Sequence, residues 1–440
     1  MRNPFYSPLW QNRAFVRVWS ASTVSVFGSL ITRMALPFVA ILVLGAGPLE
    51  VAVLRSLEIG TGLIVGLVAG AWVDRLRRRP ILIWTDLGRA VLLATIPIAF
   101  VAGALTLWHV LLVTALAAIL TTFFDAADNA YLPTVVERER LVEANSALAA
   151  SWSASEFAGF GISGFLISVL TAPIAIVLDA ITFVVSAVLL LGIRTPEPPP
   201  PPASAREPVR TEIAVGIRVV LEDPVLRAFA FAQMLHHVLW GVFGATWILF
   251  AIDQLALGPA AIGLIAAAGG IASFVGAVVA HRSIGRWGIG PVAVASMVVL
   301  AIGNAFIPLA PASLPLVALA CLLVQQLVGD GAATVFEITD TTVRQSIVPD
   351  RQLGRVASTF FFFGHSAQLT ATIAAGVLAE VIGLRATLVF APIAGLIGAI
   401  VLWRSPVRTL LQLPGGGGPD PQAAANEARI EAGQAEPFGG

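Results

Sequence analysis

The chain has 440 residues, 57% of them hydrophobic and only 12% charged, with a mean hydropathy of +0.88. A soluble domain carries about 25% charged residues, so a soluble enzyme, a disordered protein and a nucleic-acid binder are all disfavoured. The 26 basic residues, all arginine, balance 26 acids, so no net field gathers polyanions, and the single cysteine, Cys321, excludes an intrachain disulfide or a cysteine-based metal cluster.

A helix crosses about 30 Å of hydrocarbon with about 20 mostly apolar residues. Twelve such stretches follow one another, roughly 17–44, 50–72, 80–103, 107–130, 147–170, 172–193, 226–251, 259–281, 289–310, 313–335, 355–382 and 385–403. The first is too long for a cleaved signal, and no small-residue cleavage site follows it. Continuous apolar runs also exclude a β-barrel, whose strands alternate. The expected fold is an all-α membrane protein of twelve transmembrane helices in two six-helix halves, residues 1–193 and 226–404. Between them, 194–225 reads as a linker. It opens with Pro196 and the run Pro198 to Pro202, a stiff spacer. An amphipathic helix on the membrane surface should follow, with Val209, Ile213, Ile217 and Val220 on one stripe and Arg210, Glu212 and Arg218 off it. Residues 405–440, with Gly415 to Gly418, read as a disordered tail.

With the N-terminus inside, most arginines fall in inner connections; the exceptions are Arg33, Arg55, Arg89 and Arg385. The positive-inside rule then places both termini in the cytoplasm. The halves also repeat one another. Residues 121–146 align with 333–358 without a gap, matching Phe124 with Phe336, Asp125 with Glu337 and Asp128 with Asp340. Carboxylates placed alike in two low-charge halves support the repeat, and six spans plus six related by a parallel repeat describe a transporter whose halves rock about a midplane site.

The segment from Gly70 to Arg79, with Asp74, Arg75, Arg78 and Arg79, resembles the GxxxDRxGRR loop of the major facilitator superfamily, Arg77 replacing its second glycine. The counterpart from Gly276 to Arg286 lacks the acid. Pro133, Val136, Leu141, Ala144 and Asn145 resemble a pattern of the macrolide-efflux and enterobactin-exporter-like branch, as does the segment around Leu353 and Arg355. The resemblance covers about residues 13–405 and implies drug:proton antiport by alternating access. It also implies that Gly70, Asp74 and the loop arginines latch the halves at the cytoplasmic face. Asp86 and Arg89, one turn apart, are expected to extend that network or to neutralise each other. The branch's export motif on the fifth span is matched by Gly159, Gly161 and Gly164, but Phe160 occupies its proline position; tight helix packing is the favoured reading there.

Ionisable residues inside spans are functional candidates by default. A carboxylate held away from water can exchange protons near neutral pH, which makes Asp125, Asp128, Glu337 and Asp340 candidates for proton coupling or for gate contacts. Glu58 and Arg33, at similar depth on spans two and one, form a further candidate pair; Glu156, Asp179 and Asp330 lie deeper. His236, His237 and His365 suit packing or substrate lining, and no metal site or cofactor is expected. Phe27, Phe124, Trp240, Phe243, Phe336 and Phe361 are the candidate cavity lining. No Walker loop, dinucleotide fingerprint or nucleophile–base set occurs, so the chain is not expected to be an enzyme. The leading expectation is proton-coupled export of amphipathic small molecules by a monomer in a bacterial inner membrane. Import or uniport of a nutrient, and a transport-inactive scaffold, are the alternatives.

Overall fold

The computed structural model describes residues 8–73, 75–195, 197 and 209–411. Asp74, the proline run 198–202 and residues 412–440 lie outside the described residues. Among the described residues the fold is all-helical. Long apolar runs take this form because a helix satisfies its own backbone groups where no water can. The helices are α1 (Pro8–Gln11), α2 (Arg13–Phe38), α3 (Pro48–Val73), α4 (Arg78–Val101), α5 (Leu107–Val135), α6 (Leu141–Leu170), α7 (Ala172–Leu191) and α8 (Val209–Glu222). They continue with α9 (Pro224–Asp253), α10 (Pro259–Trp287), α11 (Ile289–Leu309), α12 (Pro315–Val324), α13 (Gly331–Ile347), α14 (Asp350–Ile382), α15 (Leu384–Leu388) and α16 (Phe390–Arg404). Eleven of the helical stretches are long and apolar enough to cross a membrane, so the chain is a multi-pass membrane protein. The stretch expected over 50–72 is α3, a helix of 26 residues.

Local chemistry sets the helix ends. Proline opens α3, α9, α10 and α12, where its missing N–H costs nothing and its fixed φ suits the first turn. Asn12 caps α2 by accepting from the amides of Ala14 and Phe15 at 3.0 and 3.2 Å. Asp223 caps α9 by accepting from Val225 and Leu226 at 2.8 and 2.9 Å. The corners after α10 and α14 turn on Gly288 and Gly383, at φ 84° and 86° with ψ near 159°. The equivalent corner after α6 uses Thr171 at φ 72°, ψ 154°, a region that only glycine enters freely. Relief of about 1–3 kcal/mol of strain outweighs the ~0.5–1 kcal/mol entropic cost of a glycine. Thr171→Gly should therefore raise the midpoint of thermal unfolding in detergent, and a lower midpoint would show that the corner is unstrained.

Helices α2 to α7 pack chiefly among themselves, as do α9 to α16, while α3–α14, α6–α10 and α3–α9 contacts join the two groups. The close contacts between the groups, Gly164 with Gly263, Phe157 with Gly270, Ala52 with Gly376 and Leu369 with Gly60, run from the ends of α3 and α6 remote from the arginine-rich connections to their middles. One apolar core spans both groups at the remote end, from Phe38, Leu54, Ile96 and Ile176 to Phe250, Ile262 and Leu388. At the end that carries the arginine-rich connections the cores are separate. One holds Phe15, Leu82 and Tyr131 of the first group; the other holds Phe229, Phe336 and Leu402 of the second and reaches the joined end, where it takes in Ala52 near the start of α3. The molecule is sealed at one end and divided at the other.

The seal depends on small residues. An added Cβ on Gly164 of α6 would meet the Pro259 carbonyl and Gly263 Cα of α10, and one on Gly263 would meet the Phe160 carbonyl. Gly164 therefore serves close backbone approach, whereas Gly159 makes room for the Leu30 side chain of α2. Helix α8 falls where the amphipathic stripe was read, and it packs on α14 and α9 with Val220 buried. Residues 405–411 do not form a loose tail. Val407 is fully buried and the Gly290 amide donates to the Leu410 carbonyl at 2.9 Å, so this segment closes the end of α11.

Candidate functional site

The loop arginines are used within the first helix group. Arg79 donates through Nε and a terminal nitrogen to the carbonyls of Leu190 and Leu191 at 3.0 and 2.7 Å, where the C-terminus of α7 leaves acceptors open. Glu197 accepts from the amides of Arg78 and Arg79 at 2.6 and 3.3 Å, an anion on the positive end of α4. Arg75 is exposed, and Gly70 lies near the end of α3 with open space beside it. Glu197 was not expected from the sequence, because it lies far along the chain beyond three further helices.

Asp86 and Arg89 form their own buried pair at 2.5 Å, with side chains 0% and 4% exposed. Their partners are not the loop arginines: the Arg89 guanidinium lies over the rings of Phe124 and Phe183, at 4.4 and 4.1 Å. It is also the cation that Asp125, Asp128 and Asp179 share. Asp125 is exposed and Asp128 half-buried, whereas Asp179 is buried beside Thr182 at 3.1 Å. A cavity of about 320 Å³ connects this cluster to Thr121, Glu58 and Arg33. Four carboxylates thus share the neighbourhood of one guanidinium.

The second group answers with different chemistry. Glu337, 58% exposed, stands 3.4 Å from Nε2 of His236, which is 1% exposed. The same Nε2 accepts from Trp240 Nε1 at 2.9 Å. His237 and His365 follow, their ring centroids 4.9 Å apart. Asp340 is buried with Arg344 at 3.5 Å, and the Arg344 guanidinium lies 4.9 Å from the Phe360 ring centroid. Each repeat-equivalent pair thus has one exposed and one more buried acid. A stretch of wider π winding, Gln325–Asp330, joins α12 to α13; such stretches are frequent at functional sites. Across it Gln326 donates to Asp330 at 2.8 Å.

Between the two groups lies a cavity of about 210 Å³. Its aromatic wall comes from α9, where Trp240, Phe243 and Trp247 contact in series at 5.4 and 5.3 Å. Arg33, Arg55, Glu156, Gln326 and Asp330 bring polar groups to it. Three sequence expectations need correction. Glu58 pairs with Arg55 at 2.9 Å and not with Arg33, because a partner one turn away on the same helix is reached at less entropic cost. Phe124 and Phe336 are buried in the two separate cores, the first under Arg89 and the second stacked on Phe229. Phe27 is half-buried against the shared core, and Phe361 is exposed beside His365. Of the six aromatic candidates, only Trp240 and Phe243 line the central cavity.

The profile of the Major Facilitator Superfamily matches residues 18–240. The chain belongs to the Major Facilitator Superfamily. Within that superfamily it is similar to the multidrug efflux pump Tap of Mycolicibacterium fortuitum, 28% identical over an alignment of 336 residues that covers 74% of this chain and 79% of that protein. It is also similar to macrolide efflux protein A of Streptococcus pyogenes, 24% identical over 239 residues, 54% of this chain and 59% of that one. Its fold matches the crystal structure of a bacterial homologue of the iron transporter ferroportin in an inward-facing state. The TM-score is 0.71 at 17% identity, covering 89% of this chain and 98% of the other. The nucleoside transporter NupG matches with a TM-score of 0.69 at 13% identity, covering 89% and 98%. Superfamily membership makes this chain a transporter and not an enzyme.

Proposed function

We propose that the chain exports amphipathic small molecules across a bacterial inner membrane in exchange for protons. In this reading α3 is the twelfth span, both termini are cytoplasmic, and residues 1–193 and 226–404 rock about the central cavity. The divided, arginine-rich end is then the cytoplasmic side, open to receive substrate. The observation that carries the reading is the cavity itself: an aromatic wall at the junction of two helix groups that keep separate cores at the arginine-rich end. Efflux relatives supply the direction, and Asp125 and Glu337, both exposed, are the groups best placed to exchange protons with water.

The test is transport in proteoliposomes under an imposed pH gradient, with a panel of lipophilic dyes and macrolides. Uphill movement of at least one compound against the proton flow is expected. Asp125→Asn combined with Glu337→Gln should abolish uphill movement while downhill exchange continues, since binding and rocking do not need the proton. Uphill movement that persists unchanged in the double variant would remove these two acids from coupling. Gradient-independent uptake by the parent protein would overturn the exporter.

A further inference from the structure

An arginine is charged at every accessible pH, and a guanidinium inside a membrane protein is costly unless something answers it. Four other arginines inside the described helices are answered, while Arg13, Arg282 and Arg404 lie exposed near helix ends. Arg55 has Glu58, Arg89 has Asp86, Arg344 has Asp340, and Arg385 donates to the Pro308 carbonyl at 2.8 Å over the Phe250 ring. Arg33 is different. Among the described residues it makes no hydrogen bond or ion pair, although it is surrounded by protein and lines both the central cavity and the cavity of the first helix group. Its side chain is exposed to that internal space.

Two acids face the same cavity. Glu156 of α6 also makes no ion pair or hydrogen bond among the described residues. It is close enough to act on Arg33 through space, yet the two do not form a salt bridge. Asp330 is held in the wall by Gln326, with Gly269 of α10 lacking a side chain beside it. A positive group and negative groups thus flank one space without neutralising each other, against an aromatic wall. A lipophilic cation would leave Arg33 unanswered, and a simple anion would leave Glu156 and Asp330 unanswered.

We propose that the central cavity takes a zwitterionic amphiphile. Its carboxylate lies on Arg33, which presents the planar fork that a carboxylate matches. Its ammonium lies between Glu156 and Asp330, and its apolar body lies against Trp240, Phe243 and Trp247. This names the substrate class for the exporter proposed above and rests on substrate passing through that cavity. It does not depend on direction or on coupling.

Equilibrium binding in detergent tests it, read by isothermal titration calorimetry. The probes are a matched set: phenylalanyl-phenylalanine, its C-terminal amide, its N-acetyl derivative and the N-acetyl amide. The free zwitterion should bind about 10- to 100-fold more tightly than each of the other three, the range for a hydrogen bond to a charged group. Arg33→Gln should bring the zwitterion down to the affinity of its amide, and Arg33→Lys should restore part of the difference. Glu156→Gln should bring it down to the N-acetyl derivative. Equal affinities across the set, tightest binding of the cationic amide, no binding of any probe, or an Arg33→Gln protein that is monodisperse with unchanged affinities would each overturn the proposal. A failure of pH-driven export in vesicles, with these affinities intact, would overturn the exporter and leave the substrate class standing.

Discussion

Arg89→Gln should remove most of the folded protein from the membrane. The guanidinium is the partner of Asp86 at 2.5 Å, both side chains are buried, and it is wedged between the rings of Phe124 and Phe183. Removing the cation alone leaves the Asp86 charge buried without an answer. It also strips Asp125, Asp128 and Asp179 of the cation they share. Breaking a buried pair from one side costs about 3–5 kcal/mol, a large part of the 5–15 kcal/mol typical of a whole domain. Asp86→Asn made together with Arg89→Gln removes both charges and should recover part of the loss, because the remaining amides are far less costly to bury. Thermal unfolding in detergent and the amount of protein in membranes measure both variants. A single variant that melts with the parent protein, or a double variant worse than the single, would show that the pair does not hold these helices together.

Gly164→Val should all but abolish transport while leaving the protein folded. Valine places its branched side chain where the Pro259 carbonyl and Gly263 Cα already lie, and backbone cannot step aside as a flexible side chain would. The strain is relieved by moving α6 away from α10, which opens the sealed end. Each helix group keeps a core of its own at the other end, so folding should survive. A transporter whose seal cannot close leaks or stalls, and transport should fall at least about tenfold for each 1.4 kcal/mol lost from the sealed state. Gly285→Ala is the matching control, because a Cβ there meets nothing within 4 Å. Equal transport rates for Gly164→Val and Gly285→Ala would remove the glycine contact from the transport cycle.

Much of the architecture was legible in one dimension. Apolar length marks a membrane-crossing helix whatever its neighbours, and the arginine bias and the alignment of 121–146 with 333–358 need no coordinates. Asp86 with Arg89 was legible as a pair for the same reason: residues three apart on a helix share a face. Arg55 with Glu58 has the same spacing, yet matching depth across two spans pointed to Arg33. Depth says which side chains lie at one level, whereas the helix says which of them can touch.

The tertiary structure alone decided what each charge and each ring faces. Phe124 and Phe336 align in the repeat as Trp240 and Phe243 do not, but the crossing of α4, α5 and α7 and of α9 with α13 turns the first two into the cores and leaves the other two on the cavity. Glu197 reaches the start of α4 only because α7 returns the chain there. The length, polarity and repeat of the helices follow from the sequence, because hydrocarbon acts on each span separately. The unanswered state of Arg33 does not: once Glu58 is taken by its neighbour on α3, only the gap between two packed helix groups determines whether the guanidinium meets a partner or open space.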